Sequence, residues 1–312
     1  MRGTTFGPAR VVALVMLTAA LVGAAEVPEV QSASAVGNLA TGAKAYRATV
    51  SSNSAVIVAT YGLSYRQSGG SMTVTTSGPF SWSQDEGELT VSTVASGGTV
   101  GSGMVITTQE IIDGDHTYSA TSTADAPPDL TSSGGWTETT WRGQSAGNAL
   151  ELFDLGAFGL GAPGGMPSPK AILGLLQSKA TSDKKLGAAV LEDVKTTRFR
   201  SLIPFSRLGV PGKAVAQLER VAGTRFLRVD YWTDSTDRLR LMQFGLTVRR
   251  PPPETTTTTH PGLVASAELF PLTVDVQLQV SDYGTPVDVA PPPASEITSR
   301  TTCVVSANGF SC

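Results

Sequence analysis

The chain has 312 residues, enough for one large or two modest domains, and its 40% apolar content excludes a disordered polymer. Only 6% aromatic and 16% charged residues, with 33 glycines and abundant serine and threonine, point to a β-rich, turn-rich exported protein. The net charge of −3 argues against nucleic acid as a partner.

Residues 1–25 have the make-up of an export signal. Arg2 and Arg10 form a positive start, Val11 to Val22 is a short apolar run, and Gly23-Ala24-Ala25 offers a cleavage point before Glu26; Ala33-Ser34-Ala35 is a second candidate. The apolar run is shorter than the ~20 residues that span a bilayer, so the expected product is soluble after cleavage. Retention by an uncleaved anchor is the alternative.

Val36 to Ala48 is compatible with a helix, with Leu39, Ala43 and Tyr46 near one face. Ser54 to Tyr65 is apolar on both alternations around Val56 to Ala59, as in a strand packed on both sides. Ser71–Thr76, Glu88–Thr93 and Gly103–Thr108 follow at hairpin spacing. Glu110–Thr121 holds an Asp113-Gly114 turn, and Trp136–Trp141 is a further short extended piece. No crossover helix separates these strands, which predicts an antiparallel meander.

Leu155 to Pro167, LGAFGLGAPGGMP, is glycine-rich yet apolar. It is either an irregular connection or a hinged flap whose Phe158, Leu160 and Met166 cover an apolar cavity. Ser168 and Pro169 then open a helix over Lys170–Lys179, with Ile172, Leu173 and Leu176 on one face. Pro211–Val221 reads as a helix aligned on Val215, Leu218 and Val221. Thr224–Trp232 and Arg238–Val248 form a hairpin with Arg228, Asp230, Arg238 and Arg240 on its wet face.

Charge is concentrated in this region. Between Lys179 and Arg250 there are 15 basic and 7 acidic residues, a net +8. Solvated outer faces explain such a run. The alternative is transient contact of segment 179–250 with an anionic membrane surface, weakening as salt rises.

Arg249–Gly262 is a Pro/Thr-rich stretch unable to bury anything and is expected to be a disordered excursion. Its five consecutive threonines are open to O-glycosylation. Thr273 to Val280 alternates without a break, Val274, Val276, Leu278 and Val280 against polar partners, as in a strand with one apolar face. Asp282-Tyr283-Gly284 ends it, Val287 and Val289 form a short extended piece, and Pro291-Pro292-Pro293 stops the ladder. The two cysteines, Cys303 and Cys312, fall in the last ten residues; export favours a disulfide closing this tail loop.

SDYGTPVDVAPPPASEI, ending at Ile297, resembles the terminal motif of the LppX/LprG-type exported carriers of actinobacteria, within the LolA-like group of lipid and lipoprotein carriers. EIIDGDHTYSA, GWTETTWRG, VLEDVKTTRFR and VDYWTDSTDRLRLMQFGLTV are similar to further segments of that family, in the same order. The resemblance implies an α+β fold: a strongly curved antiparallel half-barrel wrapped around a few helices, with an apolar cavity that holds acyl chains. Many such carriers are acylated on a lipobox cysteine; LVGAAEV has none, which excludes that anchor.

Chemistry-bearing patterns are sparse. His116 and His260 read as solvated, and the carboxylates at 85–88 and 113–115 as turns. There is no nucleophile elbow, zinc-protease, phosphate-loop or EF-hand pattern, so no enzyme, cofactor or metal is expected. The expected organisation is a signal peptide (1–25), a carrier domain (26–298, with the loop 250–262) and a disulfide tail (299–312). Its expected role is to carry a lipid or lipidated molecule across the cell envelope, as a monomer. The candidate cavity residues are Val74, Val91, Ile106, Phe158, Leu160, Leu173, Leu176, Val229, Leu241, Val274, Val276 and Leu278. A non-transporting envelope module with the same fold and a filled interior is the alternative.

Overall fold

A computed structural model of the chain describes residues 41–65, 69–96, 104–123, 135–142, 169–177, 180, 182–208, 212–249, 271–306 and 309–311. The expected signal segment, the glycine-rich run with Phe158 and Leu160, the threonine-rich stretch and Cys312 lie outside the described residues; Cys303 falls within a strand.

The elements are α1 (Thr41–Val50), β1 (Ser54–Tyr65), β2 (Ser71–Ser81), β3 (Glu86–Ser96), β4 (Met104–Asp113), β5 (His116–Thr123), β6 (Trp136–Arg142), α2 (Pro169–Gly174), β7 (Ser182–Leu191), β8 (Val194–Pro204), α3 (Gly212–Ala222), β9 (Phe226–Thr233), β10 (Leu239–Val248), β11 (Leu272–Ser281), β12 (Ile297–Ser306) and β13 (Gly309–Ser311). All strands belong to one curved, unclosed sheet in the order β13-β12-β6-β5-β4-β3-β2-β1-β11-β10-β9-β8-β7. Two meanders, β1–β6 and β7–β11, are joined where β1 pairs with β11, Ile57 opposite Val280 and Leu63 opposite Val274.

The sheet is mixed, which corrects the purely antiparallel expectation. β12 runs parallel to β6, Thr301 beside Thr139. A parallel neighbour needs a long connection, and here it is nearly the whole second half of the chain. The triple proline does stop the strand that precedes it, but the chain resumes as β12, so β11 is not the last strand. β7 is also absent from the sequence reading, because SDKKLGAAVL is a largely exposed edge strand without an apolar face.

The alternation of β11 is realised in full: Leu272, Val274, Val276, Leu278 and Val280 are buried. Register carries their face across Ile57, Ala59 and Leu63 of β1 and across Met242, Phe244, Leu246 and Val248 of β10. This inner face is covered by the helices. α2 contributes Ile172 and Leu173, the following 3-10 turn (Leu175–Gln177) contributes Leu176, and α3 contributes Leu218 and Val221. α1 buries Gly42, Ala45 and Thr49, a face rotated from the expected one, with Tyr46 at its margin. Gly42 packs on the Leu176 carbonyl, where an added Cβ would stand 3.0 Å away.

The opposite, outer face is knitted by ion pairs. Arg200 grips Asp230 with two hydrogen bonds of 2.7 and 2.9 Å, and Arg198 binds the same carboxylate while lying over the Trp232 ring. Burial works against the charge of Asp230, but the bonds from Arg200 and Arg198 outweigh it and hold the carboxyl below its usual range. Asp234 accepts from the Thr236 and Arg238 amides and from both Arg238 and Arg240 side chains. A second, smaller core of Ile111, Tyr118, Ala120 and Trp136 sits on the outer side of β4–β6, with Val289 and Ile297 of the C-terminal segment packed against it.

Candidate functional site

Beyond the main core, the inner face carries apolar side chains interleaved with threonines. Following the register outward from β11, the apolar inner positions are Tyr61 on β1, Met72 and Val74 on β2, Val91 on β3 and Ile106 on β4, with Thr93 between Val74 and Ile106 and Thr76 and Thr108 on either side of Val91. All five are only half-buried, in contrast to Val274, Val276 and Leu278 alongside them, which are essentially inaccessible. The band lies toward the strand ends away from the β2–β3 turn. The Lys170 to Asp85 ion pair, at 3.4 Å, holds α2 at that turn.

The expected cavity residues therefore separate into three groups. Val74, Val91 and Ile106 share the half-buried band. Leu173, Leu176, Val229, Val274, Val276 and Leu278 face the same side but are consumed by the protein's own core. Leu241 is on the outer face, opposite Gln279 and Trp232. The register shift between Leu239 and Leu241 explains it: Leu239 points inward, the bulge inserts Arg240, and Leu241 turns outward with the opposite parity. Phe158 and Leu160 lie outside the described residues.

Tyr61, Met72 and Glu110 are inner-face residues that the sequence reading missed. Glu110 stands between Leu89 of β3 and Ser119 of β5. MVITTQEIID is apolar and polar on both alternations, so periodicity alone does not give its phase; the pairing with β3 does. Toward β5 the inner positions change from apolar to hydroxyl: Thr117, Ser119 and Thr121 follow Thr108 across the sheet. Thr76, in the row of Val91 and Thr108, has a buried hydroxyl oxygen without a partner among the described residues.

Burial pushes the Glu110 carboxyl up from 4.5 to about 7. The folded chain therefore holds this proton more tightly than the unfolded one. Its penalty is absent below the unfolded pKa and grows as pH rises toward 7, reaching on the order of 3 kcal/mol. Glu110→Gln should remove that slope. In urea unfolding the variant should match wild type near ~pH 4 and exceed it by roughly 3 kcal/mol near ~pH 8. An equal offset at both pH values would disprove it.

Among the described residues no group of three or more His, Cys, Asp and Glu side chains could hold a metal ion. None of their helices is long and apolar enough to cross a membrane. No protein-family model and no curated protein matches the chain. Solved structures do. The lipoprotein LppX of Mycobacterium tuberculosis is 13% identical, covering 81% of this chain and 97% of its own, with a TM-score of 0.37. LprF from Mycobacterium bovis is 12% identical, covering 82% and 97%, with a TM-score of 0.40.

Proposed function

We propose that this protein is an exported carrier that takes the acyl chain of a lipid or lipidated molecule on the inner face of its sheet and moves it across the cell envelope. One observation carries the reading: Tyr61, Met72, Val74, Val91 and Ile106 put half-buried apolar side chains, set among threonines, on the inner face beside a fully buried core. Removing hydrocarbon from water there supplies affinity at ~0.8 kcal/mol per CH₂. The resemblance of the C-terminal segment to LppX/LprG-type carriers points the same way. The basic segment 179–250 would give transient contact with an anionic membrane surface. Much of its charge on β8–β10 is already paired with Asp230 and Asp234, so that contact falls to the remaining lysines and arginines.

The full burial of Leu173, Leu176, Val274, Val276 and Leu278 favours a second reading, an envelope accessory module whose interior is filled by its own side chains. Extraction of the purified native protein and mass spectrometry separate the two. A carrier yields acyl species, and Val74→Asp with Ile106→Asp lowers the bound amount at least about tenfold while melting changes by only a few degrees. Absence of any acyl species, with no uptake of added lipid, would leave the filled module standing.

A further inference from the structure

On the inner positions of β2–β6 the register places one ionisable side chain, Glu110; the others there are apolar residues, hydroxyls and glycines. It sits at the border between the apolar band and the hydroxyl strip, one inner position from Thr108 and opposite Ser119. No described residue gives it a hydrogen bond or an ion pair. We propose that Glu110, with the Thr108 and Ser119 hydroxyls, receives the polar end of the inner-face ligand, and that this end is a hydrogen-bond donor without negative charge, an ammonium or hydroxyl head. The assignment rests on the carrier reading above and adds a selectivity to it.

The electrostatics of the face support this. A phosphate or carboxylate head would meet a carboxylate and, among the described inner positions of β2–β6, no cation, whereas an ammonium would gain a charge-assisted hydrogen bond in a partly dry setting. Among the described residues of the neighbouring strands, no titratable group faces Glu110. Glu86, Glu88, Asp113, His116 and Tyr118 on β3–β5 occupy outer positions. On the helices over the inner face, Lys170 is paired with Asp85 and Lys44 with Asp237. Asp183 and Lys185 take inner positions only on β7, at the far edge, where Asp183 accepts from Ser201 and from the Gly42 amide. Burial alone raises the Glu110 carboxyl, to about 7, so its charge is switchable near neutrality.

The test is equilibrium binding of two chain-matched probes, hexadecylamine and palmitate, to the full chain. Near ~pH 8 wild type should prefer the amine by about tenfold, and Glu110→Gln should abolish the preference. A second arm needs no variant: between ~pH 8 and ~pH 6 protonation of Glu110 should shrink the preference in the wild-type protein. If both probes bind equally, or palmitate binds better, and neither pH nor the substitution matters, this assignment falls while the carrier reading stands. If neither probe binds, both fall together.

Discussion

Gly78→Ala is expected to destabilise the protein by about 3 kcal/mol or more, read as a shift of the urea midpoint with an unchanged slope. Gly78 lies within β2 on the inner side, yet its φ is +153°, a conformation that L side chains rarely adopt. An added Cβ would stand 2.2 Å from the Glu88 carbonyl oxygen and 3.2 Å from the Leu89 Cα. Both obstacles are backbone atoms of the neighbouring strand, so no rotamer change relieves them, and the sheet itself must part. The adjacent Phe80 and Trp82 rings, packed edge to face at 5.1 Å, would move with it. A variant as stable as wild type would mean that the β2–β3 pairing is not as close as described.

Tyr283→Ala should cost roughly 3–5 kcal/mol, and Tyr283→Phe about 1–2 kcal/mol. The ring packs on the main core and is covered by the Arg238 and Arg240 guanidiniums, 4.5 and 5.0 Å from its centroid. Its hydroxyl donates to the Leu239 carbonyl, and the Leu239 amide donates to Thr49 in α1 at 2.9 Å. One side chain thus fastens the C-terminal segment to β10 beside a contact that fastens α1. Burial pushes its phenol upward, so it stays a donor throughout the physiological range. The difference between the two variants separates packing from the hydroxyl; equal losses would assign everything to the hydrogen bond, and a loss below 1 kcal/mol for alanine would show that the segment is not held here.

Both residues bear on how the chain encodes its site. Tyr283 belongs to the motif that carries the family resemblance, and its role as a fastener is invisible locally because Leu239, Arg238 and Arg240 lie more than forty residues away. The sequence was informative wherever order is local. Period-two alternation determined β11 and its buried face, Asp113-Gly114 determined the β4–β5 hairpin, and Leu218 with Val221 determined the buried side of α3. Tertiary structure decided everything that depends on distant covering. Val74 and Val274 have the same local pattern, but α2 packs against β11, so Val274 is sealed while Val74 stays half-open. A bulge reversed Leu241, and a remote return of the chain made β12 parallel to β6. Alternation tells which side chains share a face of a strand; only the packing of other elements decides whether that face becomes core or remains available to a ligand.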